Sequence, residues 1–91
     1  MEHDETAVNE LVRQTQIEAI AAITLAHAGC KPELLDLFSL AVVPHLWITE
    51  SGGIAVMDEH GQVRRGVTPQ QLAHEVRGRY DRQPGRYFRP L

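Results

Sequence analysis

The fold is decided by residues 46–88, LWITESGGIAVMDEHGQVRRGVTPQQLAHEVRGRYDRQPGRYF. Two short apolar runs, Leu46–Thr49 and Ile54–Met57, flank Glu50-Ser51-Gly52-Gly53, a composition suited to a hairpin connection. Asp58-Glu59-His60-Gly61 forms a second turn in which Gly61 is free to take positive φ, so Gln62–Arg65 is placed to add a third short strand. Thr68-Pro69-Gln70-Gln71 then opens a helix: Thr68 is the N-cap, Pro69 suits the first helical position, and Gln71 completes a capping box. Leu72, Val76 and Tyr80 recur at four-residue steps and give this helix one apolar stripe, with His74, Arg77 and Arg79 largely outside it. Pro84, Gly85 and Pro90 make the end irregular.

Upstream, residues 5–28 place Ala7, Val8, Leu11, Val12, Thr15, Ala19, Ile20, Ile23 and Ala26 mostly at helical steps. Asp4 or Thr6 is the expected N-cap, and Gly29 the expected left-handed C-cap, after which Cys30 packs back as a small hydrophobe. A second helix is predicted from Pro32, with Leu34, Leu35, Leu37, Phe38 and Val42 toward the core and Pro44 as its stop. The expected architecture is α+β: two N-terminal helices, a short β-hairpin or three-strand meander, a C-terminal helix and an irregular basic tail. Residues 1–4 form an acidic extension, 5–82 a single small domain and 83–91 the tail. Trp47, Ile48, Ile54, Val56, Leu35, Phe38, Leu72 and Val76 are the expected core.

A chain of 91 residues makes one domain with a modest core, burying roughly 60–65% of the surface its unfolded form exposes. One cysteine, Cys30, excludes an internal disulfide framework. The acidic start is unlike a secretory signal, and the longest apolar stretch, Ala19–Ala28, is too short to cross a bilayer. A soluble, intracellular protein without membrane association is expected. His3, His27, Cys30, His45, His60 and His74 show no metal-ligand spacing. Ser39 and Ser51 lack a nucleophile elbow, and Gly52-Gly53 joins strands where a phosphate loop would precede a helix. No catalytic residue, metal or cofactor is therefore expected, and the protein is read as a non-enzyme.

Charge reverses along the chain. Residues 1–60 hold ten acids and two bases (−8), whereas residues 61–91 hold seven arginines against Glu75 and Asp81 (+5). Arg77, Arg79, Tyr80, Arg82, Arg86, Tyr87, Phe88 and Arg89 therefore stand out as partner-binding residues, since arginine and tyrosine are enriched at protein–protein hot spots and charge steers association. A small nucleic-acid-binding regulator using the basic 69–80 helix is the alternative, although the chain as a whole is acidic (net −3). The first helix carries more apolar surface than a small hairpin covers, with Ile17 and Ala21 on a second exposed side. Val8, Leu11, Val12, Ile17 and Ala21 are thus expected to mediate self-association, most simply as a two-fold dimer.

The order AHAGCKPELLDLF, ITESGGIAVMDEHGQ, GVTPQQLAHEVRGRY and RYF resembles the C-terminal module of tailed-bacteriophage capsid scaffolding and minor structural proteins. The matching positions are Ala28-Gly29, Leu34-Leu35, Asp58 to Gly61, Gly66 to Pro69 and Tyr87-Phe88, over about sixty residues. The resemblance implies a virion structural or assembly role in the host cytoplasm or the particle. Its partner would be a viral coat, portal or other virion protein, held by the basic, aromatic end after Val76. The long charged coiled coil that scaffolding proteins place upstream is replaced here by a single helix, so the resemblance favours a virion component over a scaffold proper.

Overall fold

In the computed structural model, which describes residues 5–83 and 85–90 (for Glu5 and Thr6 the backbone alone), the chain mixes helices with one two-stranded antiparallel sheet. Helix α1 spans Glu5–His27, α2 Leu35–Val42 and α3 Pro69–Tyr80; strands β1 and β2 are Leu46–Ile48 and Ile54–Val56. Single 3-10 turns, Pro32–Leu34 and Val43–His45, lead into and out of α2. Asp4, the Thr6 side chain and the 1–4 extension lie outside the described residues.

The caps and turns follow local chemistry. Helix α1 ends in a Schellman motif: Gly29 takes φ 97°, its N–H bonds Ala26 O at 3.0 Å, and Cys30 N–H reaches Leu25 O at 2.9 Å. At α3, Thr68 Oγ1 accepts from Gln71 N–H at 3.2 Å, and Gln71 Oε1 accepts from Thr68 N–H at 2.8 Å. In the 58–61 turn, Asp58 Oδ1 accepts from His60 N–H and Gln62 N–H at 2.8 and 2.9 Å, and Gly61 takes φ 77°.

Gln62–Arg65 does not add a third strand. It makes one isolated bridge, Met57–Val63, and an Arg64 N–H bond to Val56 O at 2.7 Å. The segment has a single apolar residue, Val63, which is exposed, so a longer pairing has nothing to bury.

Helices α2 and α3 and the hairpin pack on the C-terminal half of α1. The core is Ile17, Ala21, Leu25, Ala28, Cys30, Phe38, Val42, Leu46, Val56, Leu72, Ala73, Val76 and Phe88. Two expected core residues are displaced. Leu46 pairs with Val56 and both face inward, so the alternation of the strand turns Trp47 outward, where the Arg13 guanidinium lies 5.0 Å from its ring. Ile54 sits at the turn end of the hairpin, opposite Ile48, and is exposed. Leu37 is likewise exposed, because the buried face of α2 follows the i, i+4 pair Phe38 and Val42.

The end of the chain is irregular in conformation but does not stand off as an arm. Phe88 is 0% exposed, and its backbone pairs with Cys30 in an antiparallel bridge. Lys31 N–H donates to Tyr87 O at 3.0 Å, and Arg89 N–H donates to Gly29 O at 2.7 Å. The Phe88 ring lies 5.1 Å from that of Phe38. Replacing Phe88 with Ala is expected to lower the unfolding free energy in urea by about 3–5 kcal/mol, the range for a buried aromatic deleted from a core. A loss within the range of surface substitutions would contradict the packing of this segment.

Candidate docking surface

The aromatic residues of the C-terminal part gather on one residue of α2. Phe38 lies 5.8 Å from Tyr80, 5.7 Å from Tyr87 and 5.1 Å from Phe88, all tilted, the arrangement that opposes ring edges to ring faces. Phe88 closes the inner side of this cluster. Tyr80 and Tyr87 form its outer side, and with Leu37, Phe38, Leu40 and Ala41 they line an open, mostly apolar groove of about 450 Å³. Leu40 is 74% exposed and Leu37 59%. Asp81 fixes the Tyr87 wall: its Oδ1 accepts from Tyr87 N–H at 3.0 Å and so anchors the turn that returns the chain to α2.

The expected partner-binding residues divide between this surface and the interior. Tyr80 and Tyr87 wall the groove, and Arg86 stacks over the Tyr87 ring at 5.1 Å. The Arg79, Arg82 and Arg89 side chains are exposed, and their guanidinium groups have no hydrogen bond or ion pair among the described residues. Phe88 is core, so a partner has no access to it. Arg77 is committed internally. Its Nη1 donates to Ala28 O at 2.6 Å, capping a free carbonyl of α1, and its guanidinium lies 5.8 Å from the Phe88 ring. Leu37 and Leu40 belong to the surface and were missed as such. Their signal is a three-residue spacing on the side of α2 that Phe38 and Val42 do not occupy.

The expected self-association residues divide similarly. Val8, Leu11 and Val12 are exposed, whereas Ile17 and Ala21 are buried against α2, α3 and the hairpin. Those two residues are one face of the helix, and that face is the core contact.

A second, polar cleft of about 400 Å³ adjoins the groove through Ala41 and is lined by His45, Met57, Asp58, Glu59, Arg64, Glu75 and Arg79 among others. Most of its polar groups are already engaged: Arg64 pairs with Glu75 at 3.0 Å, His45 Nδ1 lies 3.0 Å from Met57 O, and Asp58 holds its turn. No group of three or more His, Cys, Asp or Glu residues suited to a metal ion occurs among the described residues. Among them, no helix is long and apolar enough to cross a membrane. Comparison with protein-family models, with curated proteins and with solved structures finds no match to this chain.

Burial, reinforced by the nearby Glu33 charge, raises the Cys30 thiol pKa above its ordinary value. The folded state therefore holds this proton more tightly than the unfolded state. The resulting stability is present below the ordinary pKa of an unfolded-chain thiol and is lost as pH rises through the folded value. The stability difference between wild type and Cys30→Ala, measured by urea unfolding, is expected to shrink as pH rises past that point. A difference independent of pH would contradict a protonated, buried thiol.

Proposed function

We propose that this chain is a non-enzymatic docking protein of a tailed-phage particle, a scaffold-like structural or assembly component. It seats an apolar segment of a coat, portal or tail protein in the groove walled by Leu37, Leu40, Tyr80 and Tyr87. The observation that carries this is the pairing of an exposed apolar groove with unpaired arginines. Groups of this size left open to water are costly unless covered, and aromatic walls give a partner contact area at small entropic cost. Arg79, Arg82, Arg86 and Arg89 select a partner whose apolar anchor is flanked by acids, and steer it to the groove.

Nucleic acid fits less well. The exposed side of α3 carries Gln70, His74, Glu75 and Arg79, whose formal charges cancel, and Arg77 is turned to the interior. A phosphate backbone needs several free cations in a row, and the exposed face of this helix offers Arg79 alone.

Co-elution with co-expressed coat, portal and tail proteins of the source phage at low salt tests the proposal. Wild type is expected to co-elute with one of them. Leu40→Asp combined with Arg86→Glu should weaken that association by about tenfold or more while leaving the thermal transition in place, since both side chains are exposed. Association with none of these proteins, or association unaffected by the double change, would overturn it.

A further inference from the structure

Helix α1 is anchored over only half its length. Every described side chain from Ala7 to Gln16 is exposed except Arg13, which lies over Trp47; core burial begins at Ile17. The chain accordingly measures 52 × 29 × 19 Å, with a radius of gyration of 14.6 Å against roughly 12 Å for a compact chain of this length. Residues 7–16 thus form a spur about 15 Å long. A helix this short gains most of its stability from packing, and the chain's own core supplies little here.

From Val8 to Ala26 the side of α1 opposite the core is apolar apart from Thr15, whose hydroxyl donates to Leu11 O at 2.9 Å. Val8, Val12, Thr15, Ala19, Ala22 and Ala26 follow alternating four- and three-residue steps, a heptad seam, with Leu11 and Ile23 beside it. All are exposed except Ala22, which is half-buried. Such spacing fits another helix. The seam is also graded, with large residues on the spur and small ones on the anchored half.

We infer that this face is covered by a second copy of the chain, packed antiparallel about a two-fold axis near the middle of α1. That arrangement sets Val8 against the partner's Ala26, Val12 against the partner's Ala22 and Thr15 against the partner's Ala19, so each valine of the seam meets an alanine. Each spur lies along the anchored half of the other copy, and the contact is self-complementary as two-fold symmetry requires. Charge selects the same direction. The first six residues of α1 hold Glu5 and Glu10 and no base, and a parallel pair would bring these acids together where an antiparallel pair separates them. The helix dipoles also oppose.

Sedimentation equilibrium of the wild-type protein at tens of micromolar should give twice the chain mass. Val12→Glu lies on the exposed spur, where it cannot disturb the core, and should give the monomer mass with unchanged near-ultraviolet dichroism. Oxidising an equimolar mixture of Val12→Cys and Ala22→Cys proteins should yield the mixed disulfide dimer in at least several-fold excess over either homodimer, the native Cys30 being buried. A wild-type monomer, or a Val12→Glu protein that stays dimeric, overturns the interface. Preferential Val12→Cys homodimers overturn the antiparallel arrangement.

Discussion

The fold depends on the main-chain bridge between Cys30 and Phe88. A three-helix arrangement this small has few apolar groups to spare, and α1 would otherwise end with its last carbonyls facing an open side of the core. The returning chain closes that side. Gly29 turns α1 back, and its carbonyl accepts from Arg89 N–H at 2.7 Å. Arg77 satisfies the Ala28 carbonyl, and the Phe88 ring fills the space beneath. Gly29 admits no side chain there, because a Cβ would lie 2.8 Å from Arg89 O. These contacts join residues far apart in sequence, so the core is closed only when residues 87–89 pack back onto residues 29–31.

Much of this was legible in the sequence where local chemistry decides. The Gly29 cap, the Asp58–Gly61 turn and the Thr68 capping box each depend on a few neighbouring residues, and each forms. What was not legible depends on which face a distant segment covers. Phe88 lies in an Arg-rich, Pro- and Gly-containing end whose composition describes a solvated tail, yet one aromatic ring and two main-chain hydrogen bonds outweigh that composition. Ile17 and Ala21 share their periodicity with the Val8–Ala26 seam, and helical spacing alone does not tell which of two apolar sides faces inward. Trp47 is the same problem at a strand: its size points to a core, but its register opposite Ala55 turns it out.

The same packing defines the proposed docking surface. By taking Phe88 and Arg77 inward, the fold leaves Tyr80 and Tyr87 lining a groove with Phe38, and Arg86 stacked over the Tyr87 ring. The site residues proposed from composition thus separate by role: some build the surface, others present it. The proposed docking and the proposed self-association use different parts of the molecule, the groove between α2 and the returning chain for one, the outer side of α1 for the other. A dimer of this kind would carry two identical grooves, and two weak contacts to a repeating partner such as a capsid wall would reinforce each other.

Phe88 and the main chain beside it thus belong to the folded core. Native-state hydrogen exchange of the Lys31 and Arg89 amides tests this most directly, because each donates to the opposite segment of the bridge. Both are expected to exchange slowly, with opening free energies near that of global unfolding, as core amides do. Exchange of either amide at the rate of an unstructured tail would contradict it.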